Sequence, residues 1–197
     1  MRGKTSYIVG AIILLLVGYG IITFNRLVSL EEAVNKQWSE VQNAYQRRID
    51  LVPNLVNIVQ GAADYERETI VQVTDARRKA EQGLATGTGI PTDAAILQFM
   101  QAQNGLAGVT NRLLLNVERY PELRGAEAFA GLQTQLEGTE RRIKFARKDF
   151  NEAIQTYNQL VRGFPASLLA RMFGFPVRKG FQADAGTDQA VEINFKP

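Results

Sequence analysis

The chain has no cysteine and no histidine among its 197 residues, and these two absences exclude more chemistry than any motif present supplies. Without them there is no thiolate nucleophile, no Ser-His-Asp triad, no imidazole base, and no zinc site of the cysteine or histidine kind. Disulfides are excluded as well, so the redox compartment leaves no mark on the sequence. Neither a GxGxxG nor a GxxxxGK[ST] phosphate loop occurs; the nearest stretch, Gly83 to Gly89, lacks the lysine and the preceding strand and reads as a loop. Charge of one sign is also not concentrated. With 23 basic and 20 acidic residues, interspersed and netting +3, the composition carries no basic stripe for nucleic acid. Any catalysis would fall to carboxylates, lysine, tyrosine, serine or threonine.

What is present begins with an uncharged run, Tyr7 to Phe24, flanked by Arg2 and Lys4 on one side and Arg26 on the other. At the rise of a helix it covers about 27 Å, near the thickness of a bilayer core. A cleaved secretory signal has the same outline. No small-x-small site follows the run, however, and Asn25-Arg26-Leu27-Val28 leads straight into helical periodicity, so an uncleaved single-pass anchor is expected. Flanking positive charge is nearly balanced and leans towards an inside N-terminus, with the remaining chain on the extracytoplasmic side.

Beyond the anchor, apolar residues recur in steps of three and four at Leu27, Leu30, Val34, Trp38, Val41, Tyr45 and Ile49, which predicts a helix continuous with the membrane run. Pro53 predicts a kink or break near Asp50. The stripe then resumes over Leu51, Leu55, Ile58, Ala62, Tyr65, Thr69, Val73 and Ala76 as one helix ending after Gln82. Thr92-Asp93 is a helix start for an inward set of Ile96, Phe99, Gln103, Leu106, Thr110, Leu113, Val117 and Tyr120, which Pro121 stops. The last long helix carries a heptad through Phe129, Leu132, Leu136, Thr139, Ile143, Ala146, Phe150, Ala153, Tyr157 and Leu160.

The predicted fold class is therefore all-α. A tail and transmembrane anchor occupy residues 1–26, an antiparallel bundle of long helices residues 27–163, and an apolar C-terminal segment with a short extended tail residues 164–197. In that segment Val191 to Phe195 alternates like a strand. Leu168, Leu169, Met172, Phe173 and Phe175 either cap the bundle or form an interfacial or partner-binding element, with Arg171, Arg178 and Lys179 near enough to meet lipid phosphate.

The strongest polar candidates are Arg47, Arg48 and Asp50 on one helix, and Glu137, Glu140 and Arg141 on another. Glu137 and Glu140 share a helix face and in principle bind a metal. Di-iron bundles, though, pair glutamate with Glu-x-x-His, so interhelical ion pairing that fixes register is the expected role, and no cofactor or metal site is assigned. Trp38 and Tyr157 are expected to be core residues.

Several separate stretches, in order, carry a resemblance to the LemA family. They are Trp38-Ser39-Glu40-Val41, Arg47-Arg48-Ile49-Asp50-Leu51-Val52-Pro53-Asn54-Leu55-Val56, Tyr65-Glu66-Arg67-Glu68-Thr69 and Ala76-Arg77 in the first half. Tyr120-Pro121-Glu122-Leu123, Leu136 to Ile143, Ala146-Arg147, Phe150-Asn151, Tyr157-Asn158, Phe164-Pro165, Phe173-Gly174-Phe175 and Val191 to Phe195 follow in the second. One departure is that Asp64-Tyr65 stands where such sequences often carry a histidine.

The resemblance implies a bacterial single-pass protein of the cytoplasmic (inner) membrane with a bundle of long antiparallel helices and no recognisable catalytic apparatus. It also implies an outside N-terminus, which opposes the charge balance and leaves the side of the bundle open. The function expected is a non-enzymatic scaffold or interaction protein that self-assembles at the membrane as a homo-oligomer. Alternatives are an adaptor of a membrane protease or other envelope protein, or a lipid-binding module; the bilayer is a partner in each, and nucleic acid in none.

Overall fold

A computed structural model describes residues 2–60, 67–84, 89–117 and 127–182. Among them the chain forms α1 (Arg2–Gln60), α2 (Arg67–Leu84), α3 (Asp93–Val117), α4 (Glu127–Arg162) and the short α5 (Ala166–Met172). The predicted stop at Tyr120-Pro121, the inward Ala62, Tyr65, Val117 and Tyr120, and the alternating Val191 to Phe195 lie outside the described residues or side chains.

The dominant element is α1. Its 59 residues extend for about 88 Å without interruption, so the apolar run and the first helix of the bundle are one rod, as the missing breaker at Asn25-Arg26 implied. The run is long and apolar enough to cross a membrane and is almost bare of protein neighbours. From Leu27 onward one face becomes buried, through Leu27, Val34, Trp38, Val41, Tyr45 and Ile49.

Of the kink or break predicted near Asp50 to Pro53, the break does not occur, and the helix runs through Pro53 to Gln60. A proline has no N–H to give the carbonyl four residues back, which is that of Ile49. That carbonyl is instead met by Arg77 Nε of α2, at 3.4 Å. A side chain from another helix thus supplies the bond the proline withholds.

A second expectation also needs correcting. The stripe from Leu51 to Ala76 is not one helix, because α2 runs back along α1, with Gln42 Nε2 donating to the carbonyl of Leu84 at 3.4 Å and Arg77 reaching Ile49. Spacing alone could not reveal the reversal, since Val73 continues the period on the far side of it; Gly61, directly after the last residue of α1, was the available stop signal.

α3 then runs antiparallel to α2, starting where Thr92 Oγ1 accepts the Ala95 N–H, and α4 runs antiparallel to α1. The register of this last pair is set by Trp38 against Phe150 and Arg48 against Glu140, ten positions apart on both helices. The result is an up-down-up-down bundle of four helices.

The buried face of α4 follows the predicted heptad through Phe150 and again at Tyr157, but Ile154 and Val161 are buried in place of the predicted Ala153 and Leu160. Ala153 and Leu160 remain half-buried at its margin. The change coincides with an extra neighbour. After α5 the chain reverses at Gly174, whose φ of 78° favours glycine, with Phe175 N–H donating to the Ala170 carbonyl at 2.8 Å. Residues 175–182 then run extended along α4, away from the membrane run. In its second half α4 therefore packs on α1 and on this strap together.

Candidate functional site

Two arrangements of polar groups stand out, one inside the bundle and one along α4. The first lies in the bundle part of the rod, where the buried stripe of α1 broadens to take in Arg48. Its guanidinium pairs with Glu140 of α4, donates to the Gln103 carbonyl of α3 at 3.4 Å and lies 5.2 Å from the Tyr45 ring centre. Arg48 is 5 % exposed, whereas the Glu140 side chain is 53 % exposed, so the charge is buried on one side and solvated on the other.

Gln103, fully buried, donates through Nε2 to the Ala80 carbonyl at 3.5 Å and thereby ties α2 into the same layer. A small cavity of about 120 Å³ adjoins it, lined by Arg48, Ala107, Thr110, Leu136, Glu137 and Glu140 among others. Arg48 thus links three helices, and the sequence-predicted Arg48 and Glu140 meet across α1 and α4. Arg47, Asp50 and Glu137 are not brought into that ion pair. Arg47 points into a groove on the outside, Asp50 is exposed and accepts from Gln46 Nε2 at 2.7 Å, and Glu137 accepts from Gln133 within its own helix.

The hydroxyl of Tyr45 is pushed above its ordinary range by burial, which outweighs the opposing pull of Arg147 and Arg48; it is neutral at physiological pH. Among the described residues, no three carboxylates converge to hold a metal ion.

The second arrangement fixes the strap. Asn158 donates through Nδ2 to the Arg178 carbonyl at 2.7 Å and accepts the Arg178 N–H through Oδ1 at 3.0 Å. Asn151 does the same with Phe181, at 3.0 and 2.8 Å. Each carboxamide presents one donor and one acceptor side by side, as a residue of a neighbouring strand would.

The spacing makes both possible at once. Seven positions of helix rise about 10.5 Å, and three positions of extended chain cover about 10 Å, so Asn151 and Asn158 match Phe181 and Arg178. Gly180 is required between them, because a Cβ there would stand 2.3 Å from Asn151 Oδ1. Tyr157 adds a bond from its hydroxyl to the Pro176 carbonyl at 3.0 Å, and burial, with Glu31 second, raises the pKa of that hydroxyl. Sequence reasoning missed this device; the signal was the paired Phe150-Asn151 and Tyr157-Asn158 at heptad spacing.

The strap also gives partners to two cations expected to face lipid. Arg178 pairs with Glu31 of α1 at 3.0 Å and is largely shielded, whereas Lys179 pairs with Asp93 of α3 at 3.3 Å on the surface, its side chain 72 % exposed. Of the apolar candidates, Leu168, Met172 and Phe173 are exposed while Leu169 and Phe175 are half-buried.

On the outside, a groove of about 880 Å³ runs between α1 and α4. Its lining includes Glu40, Arg47, Arg142, Phe145 and Asp149, and Phe145 is 62 % exposed.

A four-helix bundle that shares its first helix with a membrane-length apolar run, and is tied together by a buried polar layer, defines a class of membrane-associated helical proteins. Residues 37–195 match the sequence profile of the LemA family, and the chain belongs to that family. It is similar to magnetosome proteins MamQ 1 and MamQ 2 of Paramagnetospirillum magneticum, each 27 % identical over 190 residues, covering 87 % of this chain and 69 % of theirs. Magnetosome protein MamQ of Magnetospirillum gryphiswaldense is 26 % identical over 196 residues, covering 88 % and 71 %.

Proposed function

We propose that this protein is a non-enzymatic scaffold anchored in the bacterial cytoplasmic membrane, which presents a stiff bundle at a fixed height above the bilayer and acts by assembling with copies of itself. The observation that carries the reading is the continuity of α1, which leaves no joint between anchor and bundle. Its relatives are named for a structure, the magnetosome, and not for a reaction.

The groove between α1 and α4 supports the assembly surface and restricts its geometry. Arg47 and Arg142 lie at one level along the rod, and Glu40 and Asp149 at another nearer the membrane run. Anchors in one membrane hold all copies parallel, so a two-fold axis through this groove would set like charges against each other. A head-to-tail contact, in which the groove receives a different face of the next copy, avoids that and gives a ring where its rotation closes and an open array where it does not.

Mass photometry of the full chain extracted in its native lipid tests this. Multi-copy species that Phe145→Asp reduces are expected, and a single monomeric species at every concentration would contradict the proposal. Chemical crosslinking in cells separates it from the adaptor reading, which requires a different envelope protein to be recovered.

A further inference from the structure

We propose that Phe164, Leu168, Met172 and Phe173 form a foot that lies in the headgroup and upper acyl region of the same bilayer that α1 crosses. The proposal rests on Tyr7–Phe24 being the membrane span. The register of α1 and α4 fixes the depth. Twelve positions beyond the Trp38–Phe150 pair, Arg162 at the end of α4 stands level with Arg26 at the end of the apolar run. The chain that follows Arg162 is therefore at the membrane boundary by construction.

Direct contacts agree. The ring of Phe24, last residue of the run, lies 5.0 Å from that of Phe173 and 5.9 Å from that of Phe175, both edge-on. Thr23, one residue deeper, is buried although its neighbours in the run are exposed.

The segment has two faces. Ala166 and Ala170 are buried against the bundle, and their small side chains let the two turns or so of α5 lie close to it. Phe164 at 84 %, Leu168 at 62 % and Met172 at 67 % face away from the protein. A water-facing surface has little reason to concentrate such residues, whereas the boundary of a bilayer buries them.

Charge fits a phosphate layer as well. No acidic residue occurs from Arg162 to Gln182, and Arg26, Arg162 and Arg171 are exposed around the patch, at the height where lipid phosphates lie. A helix as short as α5 would bind membranes weakly alone, but α1 holds it at the surface and makes its insertion intramolecular. The foot and the span then grip the bilayer at two points and set the tilt of the rod.

The absence of cysteine makes the test clean, since one introduced thiol takes one label. The full chain, labelled with an environment-sensitive fluorophore at Leu168→Cys, Met172→Cys, Leu16→Cys or Phe145→Cys, is placed in vesicles of mixed phosphatidylcholine and phosphatidylglycerol. All four positions are exposed on the protein, so the labels do not disturb the core, and helicity is checked by circular dichroism. Quenching by lipids with a nitroxide high on the acyl chain is expected to be several-fold stronger at Leu168 and Met172 than at Phe145, with aqueous iodide showing the reverse.

Iodide quenching at Leu168 and Met172 equal to that at Phe145 would overturn the proposal. Protection from both quenchers would also overturn it, in favour of a second copy or another protein covering the patch. Failure of lipids with a nitroxide near the end of the acyl chain to quench Leu16, at the middle of the run, would remove the span itself, and the foot with it. Self-assembly is read by a separate measurement and stands or falls independently.

Discussion

The two halves of the bundle are built from different materials. Nearest the membrane run, the core is aromatic: Trp38 sits between Phe99, Phe150 and Phe181, with ring centres 5.4, 5.5 and 6.2 Å away, and Tyr45 meets Phe99 at 4.8 Å. In the far half the described core is aliphatic, with Ile49, Val52, Leu55, Val59, Val73, Leu106, Leu113, Leu132 and Leu136 around Phe129, the one aromatic ring buried there among the described residues. Between the halves lies the Arg48 layer. Large rings with defined edge-to-face contacts fix neighbours in position, and the proximal half must hold four helices, a strap and α5 in register with a membrane. The distal half has only to stay packed.

The largest expected effect is on that contrast itself. Trp38→Ala should cost about 3–5 kcal/mol and, by hydrogen exchange of the full chain in detergent, should release the strap together with α3 and α4. Leu113→Ala, of similar size, should leave the strap protected. Release of the strap by both to the same degree would mean that the halves do not differ in role.

Next comes the layer between them. Removing one partner of a buried pair is costly because the other is left uncompensated, but Glu140 is half exposed and can take solvent. Arg48→Ala should therefore cost about 1–3 kcal/mol, Glu140→Gln less, and a double-mutant cycle in thermal unfolding should show coupling between them. Additive losses would make the pair incidental.

Asn158→Ala removes two hydrogen bonds to the strap, each worth about 0.5–1.5 kcal/mol. Limited proteolysis should then cut between Pro176 and Gln182 faster while the bundle stays folded. Unchanged cleavage would show that the buried Phe181 ring alone holds the strap.

The smallest effect is a pH dependence. A tyrosine whose pKa is raised by folding keeps its proton in the native state after the unfolded chain has lost it, so the native state binds more protons above about pH 10 and stability falls as pH rises from there. Tyr157→Phe should reduce that alkaline loss relative to the parent, and an identical alkaline profile would place the titration elsewhere.

Much of this architecture was legible from the sequence because it rests on apolar spacing. Every described member of the predicted α3 face, from Ile96 to Leu113, is buried, and the rod through Asn25-Arg26 followed from the lack of a breaker. What escaped was tertiary. The break at Pro53 is averted by Arg77, a residue of another helix, and no local pattern encodes that rescue. The turn back after Gln60 was hidden because apolar residues keep their period across it. Apolar spacing puts Asn158 beside Tyr157 on the inward face and Asn151 next to Phe150, but only the strap lying over them shows what they bond. For the same reason Arg178 and Lys179 looked free for lipid, when acids from two other helices reach them.

All of this depends on α1 being one stiff body from membrane to bundle. The direct measurement is a pulsed electron-electron distance between nitroxides at Leu16→Cys and Ser39→Cys of the full chain in lipid nanodiscs. Those positions are separated by about 35 Å of helix rise. A narrow distribution near that distance, broadened when glycines are inserted after Arg26, is the result the continuous rod predicts. A broad or markedly shorter distribution in the unaltered chain would place a joint between anchor and bundle and contradict it.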